Sequence, residues 1–214
     1  MKIAILGGTG KEGAGLASRW ALAGHSIIIG SRDPARAKTK AAELRDKTHK
    51  IPMIGESNVE AARLGDVVVV ALPALGLATT LPELRDACRG KVVVSTVVPL
   101  TFGGPRLFTP PPAGSAAEEV QALLPDARVV AAFHHIAAHE LAETDHPLEC
   151  DLLYCGGDAE AKALVTELGS SMRLRALDVG PLTNAGPLEG ITAILATINR
   201  RYKLKNSGIL ITGL

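Results

Sequence analysis

The sequence is short of aromatics, of paired cysteines and of charge imbalance, and each shortage excludes something. Its 214 residues include one Trp, two Tyr and three Phe, 3% in all, too few for the stacking platforms of single-stranded nucleic-acid binders. Lys and Arg number 23 against 22 Asp and Glu, a formal net charge of +1, whereas a dedicated nucleic-acid binder carries a basic excess. The three cysteines, Cys88, Cys150 and Cys155, contain no Cys-x-x-Cys pair. Scattered and odd in number, they fit a reducing cytosol. The longest apolar stretch, Val67 to Thr80, is broken by Pro73 and is too short to cross a bilayer. Met1-Lys2 runs straight into a short apolar strand, without the pattern of a signal peptide. What is left is a cytoplasmic protein that handles small molecules, with neither nucleic acid nor membrane as partner. Hydrophobic residues make up 47% and charged residues 21%. At this length roughly 70% of the unfolded surface can be buried, so no disulfide or structural metal is required.

Along the first half, apolar runs alternate with helical patterns. Lys2–Leu6, Ser26–Gly30, Val67–Ala71 and Lys91–Ser95 read as strands buried on both faces. Ile51–Gly55 and Arg128–Ala132 are weaker strand candidates. Between them, helices are predicted over Ala14–Ala23 with Gly24 as the stop, from Asp33-Pro34 to about Asp46, over Val59–Leu64 behind Ser57, and over Gly76–Arg85. Thr101–Gly114, rich in Pro and Gly, reads as a long loop, and Ser115 to Glu118 as a capping box. A second set follows: strand Leu152–Cys155, a helix from Asp158 to about Leu168, strand Arg175–Val179 and a last helix over Leu188–Lys203. The order predicts an α/β fold, a Rossmann-type doubly wound parallel sheet. Residues 1–148 would form its nucleotide-binding domain and residues 149–214 a small C-terminal α/β domain. The apolar face of the last helix, with Ile191, Leu195 and Ile198, suits either the core of that domain or a dimer seam.

Gly8-Thr9-Gly10-Lys11-Glu12-Gly13 matches Gly-x-Gly-x-x-Gly. The motif lies between a buried strand and a helix, the context a dinucleotide fingerprint needs. Gly8 permits the tight turn, Gly10 lets the backbone approach a pyrophosphate, and Gly13 lets helix and strand pack closely. The free N–H groups and the positive helix end hold the phosphates. About 20 residues on, where an NAD site places an acid for the ribose hydroxyl, the chain reads Gly30-Ser31-Arg32. A hydroxyl and a guanidinium suit a 2′-phosphate, and Arg36 lies one helical turn further. Charge-assisted hydrogen bonds at ~1.5–3 kcal/mol each would favour NADP over NAD by about 100-fold or more. Asp33 is predicted to spend its carboxylate on capping. Ligands of doubly wound sheets bind beyond the carboxyl ends of the strands, which brings Leu72, Pro73, Val98, Pro99 and His134 to the same cleft.

Taken in order, Gly7-Gly8-Thr9-Gly10, Gly30-Ser31-Arg32, the Val-Val-Pro run ending at Pro99, the histidine near the end of the Arg128 strand, and Asp178 to Leu182 resemble the NADPH-dependent coenzyme F420 reductases. The resemblance spans essentially the whole chain. It implies direct hydride exchange between NADP(H) at nicotinamide C4 and the deazaflavin of coenzyme F420 at C5, usually by a homodimer. By position, Thr9, Ser31, Arg32 and Arg36 would hold the 2′-phosphate, and the backbones of Gly8, Gly10, Lys11 and Glu12 the pyrophosphate. Leu72, Pro73, Val98, Pro99 and Ala137 would flank the nicotinamide. His134, Ile136, Ser207 and Gly208 would face the deazaflavin, with His134 as the candidate proton donor. Two positions depart from the family pattern: Ala74 stands where a large aromatic is expected, and no proline precedes the Ala137-Ala138 pair.

Hydride exchange between two ring carriers needs alignment more than acid–base chemistry, so the lack of a nucleophile triad is in keeping. His135, His139, His146 and Glu140 fit no zinc spacing, and no metal is expected. Two other readings stay open. One is an NADPH-dependent reductase of another acceptor, such as a flavin, metal chelate or imine, which Ala74 would favour. The other is an NADP(H)-sensing module without turnover.

Overall fold

Strand β1 (Lys2–Leu6) lies in the middle of the sheet because Ile3, Ala4, Ile5 and Leu6 are apolar on both faces and all four are sealed from solvent. The computed structural model describes residues 1–48, 51–104 and 106–214; residue 105 of the expected 101–114 loop lies outside them. The other strands are β2 (Ser26–Ser31), β3 (Met53–Ser57), β4 (Val67–Val70), β5 (Val92–Ser95), β6 (Arg128–Ala131), β7 (Leu152–Gly156) and β8 (Ala176–Asp178). One sheet holds all eight in the order β3-β2-β1-β4-β5-β6-β7-β8. β1 through β6 run parallel. The order reverses between β1 and β4, which opens a crevice at the carboxyl ends of these two strands.

The helices are α1 (Lys11–Leu22), α2 (Pro34–Lys47), α3 (Asn58–Leu64), α4 (Leu77–Thr80), α5 (Arg85–Cys88), α6 (Ala116–Leu123), α7 (Ala138–Ala142), α8 (Ala159–Ser171) and α9 (Ala185–Tyr202). Because successive strand side chains point to opposite faces, two cores form. Ile3, Ile5, Ile29, Val67 and Val69 meet α1, α2, α7 and α8 through Leu16, Trp20, Ala37, Leu141 and Val165. Ala4, Leu6, Val68 and Val70 meet α3, α5, α6 and α9 through Ala61, Cys88, Val120 and Leu188. Trp20 stands edge-on to Phe133 at 5.2 Å and donates its indole N–H to the carbonyl of Leu168 at 3.2 Å, so α1 is bonded directly to α8. Truncating such a buried aromatic costs ~3–5 kcal/mol.

Most element boundaries fall within a few residues of the sequence reading. The caps act as expected: Ser57, Ser115 and Asp158 accept the N–H of Glu60, Glu118 and Ala161. Three differences matter. Helix α1 starts at Lys11, not Ala14, so the last glycine of the motif lies inside it. In place of one helix over 76–85, residues 74–88 fold into α4 and α5 interleaved with 3-10 turns, Pro82 lying in the second of these. The sheet is not parallel throughout, for β7 runs against β6 through two residue pairs. The cause is α7, which packs on α1 beyond the carboxyl end of β6, where Gly15 abuts Leu141. The chain therefore enters β7 from that end and returns.

Candidate functional site

The turn after β1 is built from close approaches that only glycine allows. Gly7 adopts φ +75°, and a Cβ there would lie 2.6 Å from the carbonyl oxygen of Ala71. A Cβ on Gly13 would lie 2.8 Å from the Cα of Gly8. The turn is thus pressed against both β4 and the first turn of α1, with Gly10 as N-cap. Above it opens a cleft of about 870 Å³.

Thr9, Gly10, Lys11, Glu12, Gly13, Ser31, Arg32, Arg36, Leu72, Pro73 and Val98 all line this cleft. Gly8 is buried beneath the turn, and Pro99 lies outside the lining. Asp33 also reaches the cleft, but its carboxylate accepts the N–H groups of Ala35 at 2.9 Å and Arg36 at 3.3 Å, capping α2 as the sequence suggested. Its own N–H donates to the Ser31 hydroxyl at 3.2 Å. Arg32 and Arg36 are exposed and make no ion pair among the described residues. The end of β2 therefore presents two uncommitted cations.

The sequence reading missed Asn58, the first residue of α3. It lines the same cleft at 5% exposure, and its amide oxygen has no hydrogen-bond partner among the described residues. The polar residue just after the Ser57 cap was the available signal. An orphaned buried acceptor costs ~1–3 kcal/mol, so a donor from a ligand would relieve it. Glu12 is the second such group. Part of its stem sees solvent, but carboxyl Oε1 is sealed and unpartnered. Burial pushes its pKa up to about 8, with Thr96 opposing. The positive end of α1 would favour the charge by ~0.3–1 kcal/mol, less than the several kcal/mol that an unpaired buried charge costs. Burial wins. Two orphaned polar atoms, a glycine turn and two free guanidinium groups suit a phosphorylated dinucleotide.

Ile136, Ala137, Ser207 and Gly208 line a second cavity of about 360 Å³. Its far wall is the C-terminal segment, fastened by Asp151. That carboxylate accepts Arg175 Nε at 2.8 Å, Arg175 Nη2 at 2.6 Å and the N–H of Ile211 at 2.6 Å. The Asp151 N–H donates to the carbonyl of Ile209 at 2.7 Å. Gly208 sits so close to Cys150 that a Cβ would come within 2.8 Å of its own. The near wall is held by Arg19 of α1, which donates to the carbonyls of Glu140, Leu141, Glu143 and His146.

His134 belongs to neither lining. It is 5% exposed, and neither ring nitrogen has a partner among the described residues. Burial and neighbouring His135 push its pKa down to about 3, although the backbone of Ala132 and Leu188 lies near enough to favour a proton. The imidazole is neutral at physiological pH. Phe133, just before it, takes φ 67°, an outlier for a bulky residue that stores ~1–3 kcal/mol of strain. Nothing in the sequence announced this kink. Among the described residues no group of three His, Cys, Asp or Glu could hold a metal ion, and no helix is long and apolar enough to cross a membrane.

The model of the family described as NADP oxidoreductase, coenzyme F420-dependent, matches residues 2–99. A Methanocaldococcus jannaschii protein named F420-dependent NADP reductase is 41% identical, across 100% of this chain and 99% of its own. Its namesake from Methanothermobacter thermautotrophicus is 38% identical, across 100% and 96%. A crystal structure from Arthrobacter sp., assigned as an F420-dependent NADP reductase, has a TM-score of 0.85 at 25% identity, across 100% of both chains. Fold and cleft together define a Rossmann-type oxidoreductase. Alike to such relatives over its whole length, the chain belongs to the F420-dependent NADP reductase family.

Proposed function

We propose that this protein transfers a hydride between NADP(H) and the deazaflavin of coenzyme F420. The observation that carries the reading is the end of β2, where Arg32 and Arg36 stand uncommitted beside Ser31 while Asp33 is tied to its helix. That end suits a 2′-phosphate, and the full-length relatives bear the name of the activity. The hydride chemistry belongs to the two carriers when bound. The chain binds them, aligns them and keeps water out, and alignment of two bound reactants is worth ~7–11 kcal/mol.

In this proposal Thr9, Ser31, Arg32 and Arg36 hold the 2′-phosphate, and the backbone N–H groups of Lys11 and Glu12 hold the diphosphate; those of Gly8 and Gly10, expected to share that role, are spent inside the turn on the carbonyls of Ile5, Gly30 and Gly7. Leu72, Pro73 and Val98 wall the nicotinamide, while Ile136, Ala137, Ser207 and Gly208 meet the second ring; Pro99, outside the cleft lining, is not placed on that wall. His134, the candidate proton donor, is buried and belongs to neither lining, which favours a structural role for it. Residues 149–214 complete that cavity. Ile194, Tyr202, Leu204 and Leu210, all exposed, support the pairing of two copies through α9 and the C-terminal segment. Three unpaired cysteines fit a reducing cytoplasm.

The test mixes the protein, NADPH and purified coenzyme F420 and follows bleaching of the deazaflavin band. NADPH consumed only with other acceptors would transfer the proposal to another reductase. Binding of NADPH without turnover by any acceptor would leave a sensing module.

A further inference from the structure

Glu12 is a group that neither the glycine motif nor the hydride exchange explains. In the notation of the motif it is a free position. Any residue there supplies the backbone N–H, so the side chain is the chain's own choice. A carboxylate beside a diphosphate is an odd choice, since the two charges repel.

The geometry removes the contradiction. Glu12 lines the cleft from the second position of α1, and its Oε1 is fully buried without a partner. Its carboxyl lies beside Thr96, the residue following β5. From Thr96 the chain runs on to Val98, which with Leu72 and Pro73 lines the part of the cleft assigned to the nicotinamide. The Thr96 hydroxyl donates its one proton to the carbonyl of Val70 at 3.2 Å. That proton is committed, so Thr96 gives a charged Glu12 little support, and burial prevails. The ionisable groups of the cleft are Lys11 on the same helix, Arg32 past β2, and Asp33 and Arg36 at α2. None of them contributes to holding a charge on Glu12. Asn58 of α3, in the same lining, is neutral.

We propose that Glu12 is a dinucleotide contact that works as an uncharged carboxylic acid, donating a hydrogen bond to the nicotinamide carboxamide. This inference rests on the dinucleotide reading of the cleft. The rise of its pKa to about 8 through burial agrees with a neutral acid at physiological pH. The sign follows: below pH 8 the acid is present and the contact intact. Above it the carboxylate loses its donor and repels the ligand.

The experiment measures the dissociation constants of NADPH and of 2′,5′-ADP, a fragment without the nicotinamide, from pH 6.5 to 9.5. It uses the wild-type protein and Glu12→Gln, which keeps a donor that does not titrate. The wild-type Kd for NADPH should rise toward tenfold per pH unit above pH 8, that for 2′,5′-ADP should stay level, and E12Q should be level for both. A wild-type NADPH curve as flat as that of E12Q overturns the inference, and so does an E12Q curve that rises with the wild type. A parallel rise for 2′,5′-ADP overturns the carboxamide assignment by moving the repulsion to the phosphates. Failure of the wild type to bind the fragment at any pH refutes the dinucleotide reading itself, a result distinct from the others.

Discussion

Replacing Arg32 by Glu tests the nucleotide choice where the structure makes its clearest commitment. Arg32 is exposed at the carboxyl end of β2, lines the cleft and has no ion-pair partner among the described residues. Its removal therefore breaks no internal contact, and the fold should be indifferent to it. Losing a charge-assisted hydrogen bond to a 2′-phosphate costs ~1.5–3 kcal/mol. The opposite charge at about 4 Å adds ~1 kcal/mol in water-like surroundings. The sum is a loss of about 100- to 1,000-fold in affinity for NADPH. NADH lacks the phosphate and should change little, so the preference between the two should collapse by nearly the whole factor. Steady-state KM values for both nucleotides, with calorimetric Kd values beside them, measure it. Equal losses for NADPH and NADH, with the thermal midpoint unchanged, would refute the reasoning, because Arg32 would then serve the shared part of the two molecules.

Other outcomes follow from particular contacts. Gly15→Ala should drive a methyl into the Leu141 Cβ at 2.6 Å; an overpacking cost of ~1–3 kcal/mol lowers Tm by about 3–10 °C, whereas Gly157→Ala, with nothing within 4 Å, should leave calorimetric Tm where it was. His134→Ala should lower stability while kcat per folded molecule holds in both directions; a fall of about 100-fold or more, the scale of a positioned acid or base, would return His134 to the chemistry. Asp151 has its carboxyl held below the usual carboxylate range by Arg175 first and the Ile211 N–H next. A folded pKa below the unfolded one means stability that is present above the unfolded pKa and lost as pH falls through the folded one. Urea midpoints should drop from pH 5 downward in the wild type, and the drop should shrink in Asp151→Asn; identical acid profiles would contradict the linkage.

The parts of this fold that could be read in the chain are those governed by local physics. Val67–Val70 and Ile27–Ile29 are apolar at every position, which only a strand covered on both faces tolerates, and Ser57, Ser115 and Asp158 announce helix starts by their own hydrogen-bonding chemistry. The cleft followed from the glycine turn and from Arg32 for the same reason, since motif, strand end and ligand are close in sequence. The misses depend on distant partners. Nothing in Ala138–Ala142 distinguishes a helix until Leu141 meets Gly15 of α1. The reversal of β7 is a consequence of that docking. The burial of His134 comes from α9, whose Thr192 donates to the His134 carbonyl at 3.2 Å, nearly sixty residues on. Asn58 was overlooked because the serine before it already explained the turn.

The same helix serves both ends of the reaction space. α1 offers its first turn to the dinucleotide cleft, and from its last turn Arg19 holds the carbonyls of 140–146 that form one wall of the second cavity. Between them Gly15 lets α7 lie directly on α1, and Trp20 bonds α1 to α8. A displacement at the phosphate turn would thus be carried along a rigid rod to the other cavity. Two ring carriers exchange a hydride only when their reacting atoms are held ~3–3.5 Å apart. Fixing that separation is the main way such a chain can raise the rate. The tight packing around α1 is therefore expected to hold that alignment, and the cleft mouth, where Leu75 is fully exposed, is where differences in the second carrier can be accepted without losing it.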